Sequence, residues 1–166
     1  MNKVAIIIAP NNFQLVEYTE TIRALKEKTI EYDSVSTVNE ATASDGTKQK
    51  TDIFTVDVDA THYKAIILIG GSGSHIYFHD EKMHQLINDF ASQGKIVAAI
   101  CAAPTILAYA GLLHGIKATC FPSHLNDLKS QGAIYTGENV SIDGLIITAD
   151  GPESAYQFGR LIASKL

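Results

Sequence analysis

The sequence predicts an α/β fold in which a mostly parallel sheet carries helices on both faces. Three observations point there. Apolar runs of strand length alternate with segments of helical periodicity along all 166 residues. Several of those runs, among them Val4 to Ala9, Ala65 to Ile69 and Ile96 to Ile100, are apolar residue after residue. Continuous apolarity of that kind marks a strand buried on both faces, whereas a half-exposed strand alternates. Finally, only Cys101 to Ala103 separate the last of these runs from Pro104, a residue suited to the first turn of a helix because its missing N–H does no harm there.

Taken in order, Val4 to Ala9 reads as the first strand and Pro10-Asn11-Asn12 as a loop. Leu15, Val16, Thr19, Ile22 and Leu25 recur at helical spacing and predict a helix from Phe13 to Lys28. Thr29 to Val35 alternates like a second strand. Asp45-Gly46 is a hairpin turn signal, and with the strand-like Ile53 to Val56 it predicts a small antiparallel β-hairpin extension. Ala65 to Ile69 ends in Gly70-Gly71-Ser72-Gly73, and a helix follows from Glu81 to Gln93 with Gly94 as its C-cap. Past the helix opened by Pro104, Gly111 and Gly115 lead to a strand at Lys117 to Cys120 and a short helix from Pro122 to Ser130. Strand pieces at Ala133 to Tyr135 and Val140 to Ile142, the turn Asp143-Gly144, and a strand from Leu145 to Ala149 come next. Gly151-Pro152 then introduces a last helix, Ser154 to Lys165. With no repeat, linker or low-complexity segment, residues 1–166 are expected to be one domain.

Composition excludes several classes of function. Thirteen Lys and Arg residues against 18 Asp and Glu leave a net charge of −5, and the basic residues are scattered. That is no footprint for nucleic acid. No apolar run approaches the length that crosses a membrane, so no membrane partner is expected. Met1-Asn2-Lys3, followed directly by strand-like sequence, lacks the apolar region and small-residue cleavage site of a signal peptide. Two cysteines, Cys101 and Cys120, make no disulfide framework, so a cytoplasmic location is expected.

The strand–Cys101–helix junction is a sharp elbow of the kind that strains its central residue and projects that side chain from the carboxyl end of the sheet. The residues two before and two after must be small, and they are Ala99 and Ala103. Cysteine is already a fair nucleophile near neutral pH. A place at a helix N-terminus leads one to expect a lowered thiol pKa as well. In a parallel sheet, ligands collect at the carboxyl ends of the strands. Loops carrying Asn11, Asn12, Gly70, Gly71, Ser72, His75, Gly151 and Pro152 should therefore converge there, with Phe121 at the end of a later strand. Glu17, early in the first helix and beside apolar Leu15 and Val16, can point at that edge as a proton-transfer group. The N–H groups of Gly71 and Ala102 would make an oxyanion hole. Gly71-Ser72-Gly73 also begins like a dinucleotide loop, but Ile76 stands where its third glycine belongs. His75, His79 and His84 invite a zinc reading, yet no zinc-site spacing accompanies them, and no metal is expected. Cys120 is either a packing residue or a resolving thiol.

Together, Ala98 to Thr105, Ile67 to Gly71, Phe13 to Glu17 and Asp143 to Pro152 resemble the ThiJ/PfpI superfamily over nearly the whole chain. The resemblance implies a flavodoxin-like three-layer αβα sandwich, with Cys101 as nucleophile, Glu17 as its carboxylic partner, and Gly71 and Ala102 as the oxyanion-hole amides. It also implies a homodimer or larger homo-oligomer, no cofactor, and a small dicarbonyl or a glycated group as substrate. Two alternatives stand beside that activity: an oxidative-stress sensor or chaperone with an oxidisable Cys101, and a PfpI-type peptidase or amidase. The peptidases of the superfamily carry a histidine directly after the cysteine, where this chain has Ala102. The deglycase subgroup often has a histidine where this chain has Phe121, and Gln14 replaces an acidic residue common in the PfpI type.

Overall fold

A computed structural model describes residues 2–166. Met1, which opens the segment read for a leader, lies outside them. The chain begins with β1 (Lys3–Ile7), β2 (Asn11–Phe13), α1 (Leu15–Lys26) and β3 (Glu31–Ser36). Next come β4 (Glu40–Ala43), β5 (Lys48–Lys50), β6 (Ile53–Phe54) and β7 (Ala65–Leu68). The middle of the chain holds α2 (Glu81–Ser92), β8 (Ile96–Ile100), α3 (Pro104–Tyr109) and β9 (Lys117–Ala118). The remainder is α4 (Leu125–Ser130), β10 (Ile134–Tyr135), β11 (Val140–Asp143), β12 (Ile146–Ala149) and α5 (Ala155–Lys165).

Seven strands make the main sheet in the order β11-β12-β8-β7-β1-β3-β6, parallel everywhere except between β11 and β12. The central strands β7 and β8 are buried along their whole length, as their unbroken apolar sequences require. Each isoleucine removed from water there contributes about 1.5–3 kcal/mol. On one side α1 packs against α5, and α2 packs with α3 against β8. α1 and α5 approach closely at Gly159, where a Cβ would stand 2.8 Å from the Thr21 carbonyl oxygen. The result is the α/β sandwich with a mostly parallel sheet that the sequence predicts.

Several local expectations change. Pro10-Asn11-Asn12 is not only a loop: β2 begins at Asn11 and pairs with β4 in a separate three-stranded sheet with β5. Phe13 ends that strand, so the first helix starts at Leu15. Gln14 caps it, its side chain accepting from the Val16 N–H at 3.0 Å. The hairpin turns at Asp45-Gly46 as expected, but Ile53 to Val56 does not belong to it. β6 instead joins β3 in parallel at the edge of the main sheet. β9 also stays outside the main sheet and pairs with β10. None of the helices is long and apolar enough to cross a membrane, among the described residues.

Candidate active site

The elbow after β8 has the strain its sequence implies. Cys101 adopts φ 65°, a left-handed conformation that costs a non-glycine residue about 1–3 kcal/mol. Hydrogen bonds on both sides hold it there. Its N–H donates to the Ala149 carbonyl at 2.9 Å, and the Ala103 N–H donates to the Ile100 carbonyl at 3.1 Å. The Phe121 N–H donates to the Cys101 carbonyl at 2.8 Å. Pro104 then opens α3, with its ring at the one position where no donor is missed. The side chain is partly exposed, while Cys120 is fully buried and packs in the core.

Around the Cys101 sulfur the structure gathers a carboxyl group and two amides. The Glu17 carboxyl group and the N–H groups of Gly71 and Ala102 lie beside the sulfur, close enough to act on its ionisation. Glu17 lies in the first turn of α1 with 0% exposure. Its Oε2 accepts from the Gly70 N–H at 2.8 Å, whereas Oε1 has no partner of normal geometry. A half-satisfied carboxyl group out of water favours the neutral acid. Burial accordingly pushes the Glu17 pKa up to about 7, against the opposing hydrogen bonds from Cys101 and Gly70.

Gly70 and Gly71 make this approach possible in different ways. A Cβ on Gly70 would lie 2.7 Å from the Cys101 Cβ and 2.8 Å from Glu17 Oε2, inside the space the pair occupies. Gly71 sits at φ +100°, and a Cβ there would meet the Asn12 carbonyl oxygen at 2.5 Å. The Gln14 N–H, donating to the Gly70 carbonyl at 3.0 Å, ties the glycine loop to the start of α1.

The expected fall in the thiol pKa is not found. Burial pushes the Cys101 thiol up to about 12, assisted by the Glu17 charge and its hydrogen bond, and the amides of Gly71 and Ala102 only oppose this. Desolvation is the largest of these causes. Two acids side by side hold a shared proton at neutral pH, and moving it from sulfur to Glu17 leaves the pair's net charge unchanged.

The remaining residues singled out in the sequence fall at three places. Asn11 and Asn12 are exposed on β2, and their backbones, not their side chains, crowd the glycine loop. Ser72 and His75 are exposed in a 3₁₀ turn, Ser72–Tyr77, that starts directly after Gly71. Phe121, 44% exposed, joins Gly151 and Pro152 in lining a cleft of about 540 Å³ with Asn139, Glu153 and Gln157. Among the described residues no three or more His, Cys, Asp or Glu side chains are grouped to share a metal ion. His84 Nε2 instead lies 2.8 Å from the Phe78 carbonyl oxygen, and the His79 ring packs on Tyr109 at 4.4 Å. Sequence reasoning missed Asp127 and Tyr109. Asp127 stands three residues after His124 at the start of a helix, a spacing that signals their contact.

A sheet of this order, with a strained cysteine above its carboxyl edge and a buried glutamate against the sulfur, defines a class within the α/β proteins. The chain belongs to the DJ-1/PfpI family, which residues 2–165 match. An uncharacterized protein of Methanocaldococcus jannaschii is 37% identical over 161 residues, 95% of this chain and 78% of that one. A protein of Pyrococcus horikoshii that bears the name deglycase is 29% identical, over 93% of this chain and 94% of its own. Among solved structures, the ThiJ/PfpI domain protein from Brachyspira murdochii superimposes with a TM-score of 0.96 at 28% identity, covering 99% of this chain and 95% of that one.

Proposed function

We propose that this chain is a cysteine-dependent, cofactor-independent enzyme of glyoxalase or deglycase type, acting in the cytoplasm on methylglyoxal-like dicarbonyls or glycated groups. The observation that carries the reading is the Cys101–Glu17 pair with the amides of Gly71 and Ala102 on the same sulfur. The Cys101 sulfur attacks the aldehyde carbon, and its proton passes to Glu17. A base that titrates near 7 is matched to that transfer at neutral pH. The oxygen of the former aldehyde takes up negative charge where the two amides can meet it. Glu17 then moves protons between the two carbons, and water releases lactate from the sulfur. The deglycase name of the Pyrococcus horikoshii relative supports this class of chemistry.

The peptidase reading lacks its adjacent imidazole, since Ala102 offers only a backbone N–H. Methylglyoxal consumption without glutathione tests the proposal. Wild type should release lactate, and Cys101→Ser should not. A wild-type protein that turns over no dicarbonyl, yet is oxidised at Cys101 by dilute peroxide, would put the sensor reading in its place.

A further inference from the structure

The proposed chemistry develops charge on two oxygens in turn, and the cradle around Cys101 addresses only the first. The six histidines separate by their partners. His62 belongs to a 3₁₀ turn ahead of β7, at the far end of the sheet. His114 lies against Gly132, His84 is held by the Phe78 carbonyl, and His79 packs on Tyr109. His75 remains. It is exposed, its ring rests on Phe78 at 4.6 Å, and the edge-on His124 ring meets it at 5.3 Å.

Behind the His124 ring runs a chain of polar contacts. His124 Nδ1 lies 3.2 Å from Asp127 Oδ2, and the Tyr109 hydroxyl donates to Asp127 Oδ1 at 3.1 Å. Both ends of this assembly lead back to the nucleophile. The Ser72–Tyr77 turn that carries His75 starts at Gly71, whose N–H meets the Cys101 sulfur. Four residues of 3₁₀ turn span about 8 Å, which bounds how far the His75 backbone stands from that amide. On the other side, the His124 N–H donates to the Phe121 carbonyl at 2.9 Å, and the Phe121 N–H donates to the Cys101 carbonyl. The His75–His124 contact therefore closes a circuit of contacts that brackets Cys101.

We infer that His75 transfers protons to and from the second oxygen of a vicinal dicarbonyl held at Cys101, and that Tyr109, Asp127 and His124 position it. The inference rests on the function proposed above. Burial and the neighbouring His124 both lower the His75 pKa, which keeps the ring neutral and able to act in either direction. Once sulfur has bonded to the aldehyde carbon, the first oxygen carries the thiol proton, delivered through Glu17. Glu17 carboxylate then removes the hydrogen from that carbon, and the electron pair moves onto the second oxygen as an enediolate. His75 gives its N–H proton to this oxygen as its other ring nitrogen takes the proton of the first oxygen, so the ring stays neutral. Glu17 returns its proton to the second carbon. A lactoyl thioester results, with Glu17 and His75 as they began, and water cleaves it to lactate and the free thiol.

The test uses the full chain, methylglyoxal as substrate and His75→Gln, an exposed substitution that keeps a donor but exchanges no proton. The expected result is a fall in kcat of about 100-fold, the scale of one proton-transfer group, with KM little changed. Iodoacetamide should still alkylate Cys101 at the wild-type rate, because His75 acts after sulfur has bonded. An unchanged kcat in His75→Gln, with wild type active, overturns the inference and leaves the proposed function standing. Inactive wild type overturns both. The positioning chain is read separately from the His75 imidazole ¹⁵N titration. Asp127→Asn should lower the His75 pKa, and His124→Gln should raise it. Unmoved titrations would remove those residues from the assignment.

Discussion

Cys101 is held in a conformation its residue type disfavours, beside a carboxyl group that disfavours its ionisation. Glu17 raises the thiol pKa through its charge and its hydrogen bond, after burial has already done so. Glu17→Gln should therefore increase iodoacetamide alkylation of Cys101 at pH 8 while dicarbonyl turnover collapses, since the thiolate forms more easily but no group carries its proton onward. Cys120, with 0% exposure, should remain unlabelled in both proteins until they unfold. The same carboxyl group makes stability depend on pH. Its folded-state pKa of about 7 lies above the 4.5 of an ordinary glutamate, so the native state holds this proton more tightly than the unfolded chain. Stability is then lost as pH rises from 4.5 to about 7, by about 3 kcal/mol at 1.36 kcal/mol per pKa unit. Urea unfolding at a series of pH values should show that slope in wild type and a flatter one in Glu17→Gln.

The elements bring the site together by close approaches that single atoms would block. Gly70 is required by space alone, between Cys101 and Glu17, whereas Gly71 needs its positive φ as well. Gly70→Ala should separate the pair and abolish turnover, while Cys101 alkylation at pH 8 rises as in Glu17→Gln, even where the fold survives, as circular dichroism would show. Gly159 makes the corresponding approach between α5 and α1, far from the chemistry. Alanine in a helix is usually better than glycine by about 1 kcal/mol. Here its Cβ would press on the Thr21 carbonyl and Ala24. Overpacking of that kind costs about 1–3 kcal/mol, so Gly159→Ala should lower the melting temperature by about 2–12 °C. A melting temperature at or above wild type would mean that the two helices separate without cost.

At the scale of the molecule, the carboxyl edge of the sheet is a place where the ends of β1, β7 and β8 meet residues distant in sequence. The proposed chemistry runs on those residues alone, and turnover should survive treatment with EDTA. A homodimer, implied by family resemblance, predicts a sedimentation mass of twice the 17.9 kDa chain. A monomer that retains full turnover would show that the site is complete within one chain.

Much of this arrangement was legible in the sequence because it depends on local chemistry. Continuous apolar runs marked β7 and β8 as buried on both faces, and the small residues around Cys101 with Pro104 behind it marked the elbow. Glu17 stood out as a carboxyl group beside apolar neighbours at the start of a helix. What depends on partners far along the chain was decided only in three dimensions. Whether Ile53–Phe54 joined the hairpin or the edge of the main sheet turned on which unpaired backbone lay alongside, and it was β3. Local reasoning predicted a lowered Cys101 pKa from the helix that follows it. The fold raised it instead, because desolvation and the Glu17 charge come from surroundings assembled across 84 residues of chain (17 to 101), which no local reading of the elbow contains.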